Sequence, residues 1–286
     1  MSRTPVDVVA AAQLACLLEV SAPKPGNVSP GAPFRDASYE DFLASAAAIG
    51  PALGGAGARP LGATIRAAVE ATARWAPSNT NLGLILLLAP LARAALRPER
   101  DALRARLAAT LAETTVADAR DTYLAIRLAA PAGLGRAPDQ DVSDAPTASL
   151  RQVMRLAAER DAIAREYATD FLTSFDLGAP ALRRALADGL PWRDAVLEAY
   201  LTLLAAAPDT HIARKLGAGA AASVQARARA VLAAGGVRTE AGKEAIAAFD
   251  RELRDEANTL NPGATADLTG AAIYVVLLEG GWHARA

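Results

Sequence analysis

The sequence predicts an all-α protein. Apolar residues recur at spacings of three and four over most of the 286 residues, alanine is abundant, and no stretch shows sustained strand-like alternation of β-branched residues. A chain of this length can bury a sizeable core, and nothing in it resembles a linker. We therefore expect one large multi-helix domain over residues 1–286.

The predicted helices of the first half are separated by turns rich in proline, glycine and asparagine. The first helix, 6–20, ends before Pro23 because a residue that precedes proline resists the helical conformation. Ser38 and Asp41 resemble a capping pair at the start of the second helix. The segment 82–96 is apolar on all sides, which is typical of a buried helix. We predict helices at 6–20, 39–52, 60–75, 82–96, 99–112 and 116–130.

The second half begins with the clearest loop of the chain. Residues 131–146 are rich in proline, glycine and aspartate, and this composition fits a lid and a weak domain boundary equally well. There is no fixed-period repeat, which argues against solenoid architectures. We predict further helices at 148–175, 180–186, 191–206, 220–234, 240–256 and 266–278.

Composition restricts the classes of partner. A formal net charge of -1 and a pI near 6.2 argue against nucleic acid or an anionic membrane as the main partner. The single cysteine, Cys16, cannot form an internal disulfide, which fits a reducing compartment. The N-terminus lacks the apolar core of a signal peptide, and the longest apolar run, 82–92, is too short to cross a bilayer. We expect a cytoplasmic protein that binds small-molecule nucleotides, and the sequence leaves a homo-oligomer open.

Uncommon polar residues gather in four short segments, which we call the polar islands. The islands read Lys-Pro-Gly-Asn at 24–27, Asn-Thr-Asn-Leu-Gly at 79–83, Asp-Thr-His-Ile-Ala-Arg-Lys at 209–215 and Asn-Pro-Gly-Ala-Thr-Ala-Asp at 261–267. Lysine occurs only at Lys24, Lys215 and Lys243, although arginine fills most other basic positions. Because lysine offers a compact charge suited to a phosphate oxygen, its presence in two islands favours a functional site.

The islands fall at predicted helix ends and suit a polyphosphate. A helix N-terminus offers unpaired amides and a partial positive charge, and glycine lets a ligand approach the backbone. The alternative is that these residues only cap helices, which is the commoner role for any single island. The predicted phosphate- or nucleotide-binding residues are Lys24, Gly26, Asn27, Asn79, Thr80, Asn81, Gly83, Arg214, Lys215, Asn261, Gly263 and Thr265.

Carboxylates accompany the cations of the islands. Mg²⁺ commonly bridges one or two carboxylates and substrate phosphates, and a carboxylate can also act as a general base or stabilise a cationic sugar-like transition state. The alternatives are N-capping for Asp209 and Asp267 and a solvated helix end for Glu19. We predict Glu19, Asp36, Asp209 and His211 as catalytic residues, and Asp36, Asp209 and Asp267 as Mg²⁺ ligands.

Taken in order, the islands resemble the triphosphoribosyl-dephospho-CoA synthase family. The resemblance lies in Glu19-Val20 followed by Pro-Lys-Pro-Gly-Asn at 23–27, the Asn79-Thr80 loop, Asp209-Thr210, and Asn-Pro-Gly with Ala-Asp-Leu at 261–268. It spans most of the chain. The resemblance implies an all-helical enzyme that transfers a triphosphoribosyl group from ATP to a ribose hydroxyl of dephospho-CoA and releases adenine. In such a site Glu19 would orient a ribose hydroxyl or Lys24.

The chain departs from the citrate- and malonate-lyase members of that family in two islands. Those members carry Gly-Ala-His-x-Asp where residues 31–36 of this chain read Gly-Ala-Pro-Phe-Arg-Asp. They carry Asn-Thr-His-Lys-Gly where residues 79–83 read Asn-Thr-Asn-Leu-Gly, so the His-Lys pair is missing here. The chain is more similar to a divergent branch found alongside one-carbon cofactor biosynthesis in methanogens and methylotrophs. Two alternatives stay open: phosphoribosyl or ribosyl transfer in the assembly of a tetrahydromethanopterin-type cofactor, and a catalytically inactive nucleotide-binding protein.

Overall fold

The computed structural model describes residues 3–131, 133–255 and 257–281. It confirms the all-α class: within these ranges the strand-like pairing recorded is an isolated bridge between Ser29 and Ala32. The helices are α1 Pro5–Ser21, α2 Tyr39–Ala48, α3 Gly50–Gly54, α4 Leu61–Thr72, α5 Leu82–Ala95, α6 Leu103–Ala112, α7 Val116–Ala129, α8 Leu150–Ala157, α9 Ala162–Ala168, α10 Ala179–Ala187, α11 Trp192–Ala206, α12 Thr210–Leu216, α13 Ala218–Ala233, α14 Glu240–Leu253 and α15 Gly263–Leu278.

Most predicted helices are confirmed, but the continuous helix predicted over 148–175 is wrong. This segment forms α8, α9 and a π-helix over Ser174–Gly178. The Asp161 carboxylate accepts a hydrogen bond from the Ala164 amide at 2.9 Å and starts α9 afresh. Asp170 and Phe171 then adopt positive φ angles of 52° and 58°, which no helix accommodates. Local capping therefore overrides the apolar periodicity.

The chain divides into two compact units, and the division falls within α1 and again after Leu172. Unit 1 contains the chain up to Cys16 and Glu40–Leu172, and unit 2 contains Leu17–Tyr39 and the chain from Thr173 onward. The expectation of a single domain over residues 1–286 stays a prediction, because two compact units can belong to one domain or to two.

Unit 1 has α5 as its buried centre. The helix is apolar on nearly all sides, as its sequence predicts, and it contains Pro90. Because proline has no amide hydrogen, the carbonyl of Leu86, four residues earlier, loses its helical partner. The Tyr167 hydroxyl donates to that carbonyl at 2.6 Å, and the Tyr167 side chain is fully buried. The tyrosine on α9 thus compensates for a proline inside the central helix.

Unit 2 is built around a core between α11, α13 and α14. Its buried members include Tyr200 and Leu204 of α11, Val224 of α13 and Phe249 of α14. Helix α15 is buried along almost its whole length, from Ala264 to Leu278. The starts of α12 and α15 carry two of the polar islands, so this unit positions most of the predicted site.

None of the helices in the described ranges is long and apolar enough to span a membrane.

Candidate functional site

Three of the four polar islands lie in unit 2, and the second island lies in unit 1. Segments 24–27, 209–215 and 261–267 therefore belong to one compact body, in which hydrogen bonds and side-chain packing connect them. The sequence predicts helices at 191–206 and 220–234 and none between them, whereas residues 210–216 form the helix α12.

The first island forms a tight turn that glycine makes possible. The Asn27 amide donates to the Lys24 carbonyl at 3.1 Å, with Pro25 and Gly26 between them. Gly26 has a φ of +74°, the value that a type II turn requires at its third position. A Cβ added there would lie 2.9 Å from Leu253 Cβ and 3.1 Å from Pro262 Cδ. The island is therefore packed directly against α14 and the start of the fourth island.

Lys24 is fully buried and its ammonium group is already engaged. Its Nζ lies 3.0 Å from Glu19 Oε1, donates to the carbonyl of the same residue, and lies 3.3 Å from the Ala22 carbonyl. An ammonium has three donors, and these contacts use them. In the structure the lysine is paired with Glu19, and a phosphate contact of Lys24 stays a prediction. Both residues act as supports of the turn.

Residues that sequence reasoning missed hold the turn in place. The Asp250 carboxylate accepts the Gly26 amide at 2.8 Å, and the Arg254 guanidinium donates to the Asn27 carbonyl at 2.8 Å. The Tyr200 hydroxyl donates to the Pro25 carbonyl at 2.8 Å and accepts from Asn27 Nδ2 at 3.0 Å. These partners lie more than 170 residues away along the chain, and no local pattern marks them.

Asp209 caps two helices with one buried carboxylate. Its Oδ1 accepts the amides of His211 at 2.8 Å and Ile212 at 3.1 Å in the first turn of α12. Its Oδ2 accepts the amide and the hydroxyl of Thr265, both at 2.7 Å, in the first turn of α15. Burial raises the pKa of Asp209 above its ordinary value, and these hydrogen bonds oppose that rise. With four donors around it, the carboxylate has no direction left for a metal ion or a proton-transfer partner.

These contacts concern three predicted roles. The sequence predicts Asp209 as a Mg²⁺ ligand and a catalytic residue, and Thr265 as a phosphate contact, and these roles stay predictions. In the structure the two side chains join the start of α12 to the start of α15. The capping alternative holds for Asp209, although in a stronger form than the sequence suggests, because one side chain serves two helix N-termini.

His211 lies where the third and fourth islands meet. A Cβ placed on Gly263 would be only 2.5 Å from His211 Nδ1, so glycine is the residue that lets the imidazole pack on the start of α15. Burial, and then the charges of Lys215 and Arg214, lower the pKa of His211 to about 3. The ring is therefore neutral at physiological pH. Its Nε2 is buried and has no hydrogen-bond partner in the described part of the chain.

Lys215 is a half-buried cation one turn further along α12. No carboxylate of the described ranges lies within ion-pair distance of its ammonium. Burial and the neighbouring Arg214 lower the pKa of Lys215, and the more distant charges of Asp209, Asp255 and Asp36 raise it. Asp36, on an exposed loop, is one of these more distant charges, and its predicted catalytic and metal-binding roles stay predictions. Asp255 is another of these charges and was missed.

The fourth island begins with a sharp turn before α15. Pro262 has φ −77° and ψ 63°, and the Gly263 amide donates to the Asn261 carbonyl at 2.9 Å, which defines an inverse γ-turn. Asn261 Oδ1 is buried without a partner in the described residues. Asp267 is partly buried in the second turn of α15.

The second island forms the start of α5 in unit 1. Asn79 Oδ1 accepts the Leu82 amide at 3.0 Å, and Thr80 Oγ1 lies 2.6 Å from Ser45 Oγ. Asn81 occupies the N-cap position, but its side chain makes no capping hydrogen bond, and its buried Nδ2 has no partner in the described ranges. Gly83 is in the first turn of the helix and partly exposed. The predicted phosphate contact of this helix N-terminus stays a prediction.

The predicted three-carboxylate metal site is not assembled. Within the described residues no group of three or more His, Cys, Asp or Glu side chains is placed to hold a metal ion. Asp36 and Asp267 remain as carboxylates suited to Mg²⁺ together with substrate phosphate oxygens, since this ion commonly uses one or two carboxylates from the protein.

The described features define an all-α protein with polar side chains gathered at helix ends, including a half-buried cation and three unpartnered buried atoms, on Asn81, His211 and Asn261. Comparison with known proteins identifies its family. The family model for CitG, ATP:dephospho-CoA triphosphoribosyl transferase, matches residues 5–286. The chain therefore belongs to this family of transferases.

Individual relatives agree with the family assignment. Two proteins named "Probable 2-(5''-triphosphoribosyl)-3'-dephosphocoenzyme-A synthase" are each 36% identical to this chain over the aligned residues. The protein from Pseudomonas paraeruginosa aligns over 108 residues, which cover 37% of this chain and 36% of the relative. The protein from Pseudomonas fluorescens aligns over 121 residues, which cover 41% of this chain and 40% of the relative. The alignments thus span well under half of those relatives. A crystal structure from Archaeoglobus fulgidus, provisionally named a triphosphoribosyl-dephospho-CoA synthase, matches with a TM-score of 0.65 and 28% identity over 84% of this chain and 99% of that one.

Proposed function

We propose that the chain transfers a triphosphoribosyl group from ATP to a ribose hydroxyl of dephospho-CoA and releases adenine. The observation that carries this proposal is the family match over residues 5–286. The polar side chains of α12 and of the start of α15 support it, because they combine the cations of the last turn of α12 with neutral polar and acidic groups in one compact unit.

Lys215 is the residue we assign to the phosphates of the donor. A half-buried ammonium loses part of its hydration, and without an ion pair nothing in the described chain replaces it. A phosphate oxygen would supply the missing counter-charge. Arg214, on the same helix, adds a second positive charge. The two like charges repel each other until an anion binds between or beside them. The start of α5 in unit 1, with Asn81 Nδ2 unpartnered, is a second anion site.

The reaction is a substitution at the anomeric carbon of the donor ribose. The acceptor hydroxyl oxygen forms the new bond to that carbon, the bond to adenine breaks, and adenine leaves with the electron pair and takes up a proton. A carboxylate near the reacting carbon stabilises the positive charge that develops on the sugar and accepts the hydroxyl proton. Asp36 and Asp267 are the candidates, because Asp209 is fully occupied by its four donors.

The donor set suits magnesium bound with the substrate. Asp36 or Asp267 would hold the ion together with phosphate oxygens. The ion would supply charge neutralisation of the polyphosphate. The charge of Asp36 raises the pKa of Lys215, which supports assigning this carboxylate and the cation to one site.

The experiment is chromatography of free adenine after incubating the pure protein with ATP, magnesium and dephospho-CoA, with controls that omit each component. We expect adenine only in the complete mixture. Adenine release that ignores dephospho-CoA would contradict the acceptor, and bound ATP without any adenine would favour a catalytically inactive nucleotide-binding protein. Activity with phosphoribosyl pyrophosphate in place of ATP would favour ribosyl-phosphate transfer of the tetrahydromethanopterin type.

Variants of the two remaining carboxylates refine the assignment. Asp36→Asn and Asp267→Asn keep the size of each side chain and remove its charge. We expect at least one of them to lower kcat by about 100-fold, the usual effect of losing a general base, while unfolding stays close to the unmodified protein. If both variants turn over normally, neither carboxylate takes part in the chemistry.

A further inference from the structure

Two buried polar atoms at the start of α15 have no hydrogen-bond partner in the described chain: His211 Nε2 and Asn261 Oδ1. Buried polar atoms in folded proteins are almost always hydrogen-bonded, so each exception needs an explanation. The neighbouring Asp209 carboxylate, by contrast, accepts four hydrogen bonds.

Backbone and packing contacts bring both residues to the start of α15. The inverse γ-turn at Pro262 sets the backbone of Asn261 directly before Gly263. The imidazole of His211 packs on Gly263, where a Cβ would approach Nδ1 to 2.5 Å. The carboxylate of Asp209 then binds the first turns of α12 and α15 to each other. The two unpartnered atoms therefore belong to the same part of unit 2.

The chemistry of the two atoms selects the group that would bind them. An amide Oδ1 only accepts hydrogen bonds, so its partner must donate, which an ionised phosphate oxygen cannot do. A neutral imidazole with its proton on Nε2 donates, so its partner must accept. An ammonium or the amino group of a base donates but offers no usable acceptor. A hydroxyl group does both at once.

We propose that His211 and Asn261 together bind one ribose hydroxyl of a nucleotide substrate, with Nε2–H donating to the hydroxyl oxygen and Oδ1 accepting its hydrogen. The inference rests on the proposed function and assigns the two residues different roles from those that the sequence predicts. His211 positions a sugar without exchanging a proton, and Asn261 contacts ribose where a phosphate was expected. Arg214 and Lys215 remain for the phosphates.

The ribose of ATP and the ribose of dephospho-CoA offer the same chemistry, and substrate analogues distinguish them. Calorimetric titration of the full chain would compare ATP with 2′-deoxy-ATP and 3′-deoxy-ATP, and dephospho-CoA with its analogue lacking the ribose 2′-hydroxyl. We expect one deoxy compound in one series to bind the unmodified protein about 10- to 100-fold more weakly than its parent, because the two protein atoms stay unsatisfied.

The same titrations on variants test the residues. In His211→Ala and Asn261→Ala the ratio of the dissociation constant of the deoxy compound to that of its parent should fall to near one, because the group that recognises the hydroxyl is gone. His211→Gln should restore part of the ratio, since its terminal amide can donate from a similar position. A purely structural role would lower affinity for parent and analogue alike and leave the ratio unchanged.

Three outcomes decide the matter. A ratio that collapses in both alanine variants supports the inference, and the series in which it collapses identifies the ribose. Equal binding of every parent and analogue by the unmodified protein, or an unchanged ratio in the variants, overturns it while adenine release can still establish the transferase. Absence of both ATP binding and adenine release overturns the proposed function as well.

Discussion

Lys24 and Lys215 look alike in the sequence and differ in the structure. Each lysine lies in a polar island of a chain that otherwise uses arginine. Lys24 is fully buried and binds Glu19 and two backbone carbonyls, whereas Lys215 is half-buried and has no ion pair in the described ranges. One cation is satisfied by its own chain and the other is open to a ligand.

This difference shows that residues of similar appearance in the sequence can have two roles: some support the fold and others are open to a ligand. The Pro-Lys-Pro-Gly-Asn segment is one of the motifs that carry the sequence resemblance, yet in the structure its groups form hydrogen bonds within the turn and to side chains of α11, of α14 and of Arg254 directly after α14. The segment 209–215 contributes the cap, the neutral histidine and the open cation. Substitutions in the first island should therefore change stability, and substitutions at the end of α12 should change ligand binding.

The largest effect is expected for Lys24→Met, which removes the charge and keeps much of the side-chain volume. Glu19 would then be a nearly buried carboxylate without its counter-ion, and the free energy of unfolding should fall by about 3–5 kcal/mol. Urea denaturation measures this loss. The double variant Glu19→Gln with Lys24→Met should recover most of it, because no unpaired charge remains. A single-variant loss under about 1 kcal/mol would show that the pair does not support the fold.

Gly26→Ala should rank second, and Gly31→Ala is its matched control. Both glycines lie in the same loop with similar angles, φ +74° and φ +77°, but a Cβ at Gly26 meets Leu253 at 2.9 Å, whereas a Cβ at Gly31 meets nothing within 4 Å. The backbone strain, about 1–2 kcal/mol, is common to both, and overpacking adds about 1–3 kcal/mol at Gly26 alone. Equal losses in urea denaturation would mean that the turn is not packed as described.

A smaller effect should appear as a pH dependence due to His211. Its pKa is lowered to about 3 in the folded protein, against 6.5 for the free side chain. Between these values the unfolded chain binds the extra proton, so stability should decrease as the pH falls below about 6.5, by up to about 1.4 kcal/mol per pH unit. His211→Gln should remove this contribution. Identical pH profiles for the two proteins between pH 7 and 5 would contradict a buried neutral imidazole.

The sequence predicts what depends on local pattern. The apolar run at 82–96 corresponds closely to α5, and the expected relation of Glu19 to Lys24, five residues apart, is present. It does not predict what depends on distant contacts. The carboxylate of Asp209 reaches Thr265 across 56 residues, and Asp250 reaches Gly26 across 224. Apolar periodicity also conceals the break between α8 and α9, because Asp161 starts a new helix without disturbing the pattern.

The smallest effect on stability is expected for Lys215→Ala, with Lys243→Ala as its matched control. Lys243 is an exposed lysine paired with Glu240 at 2.8 Å on α14, and its removal should change neither unfolding nor binding. Lys215 has no ion pair to lose in the described chain, so its removal should alter the unfolding free energy by no more than about 0.5 kcal/mol. Affinity for ATP should nevertheless fall about tenfold, as the loss of one charged hydrogen bond predicts. Equal ATP affinities for the two variants would show that the open cation of α12 does not contact phosphate, and the comparison of the two islands would then hold for stability alone.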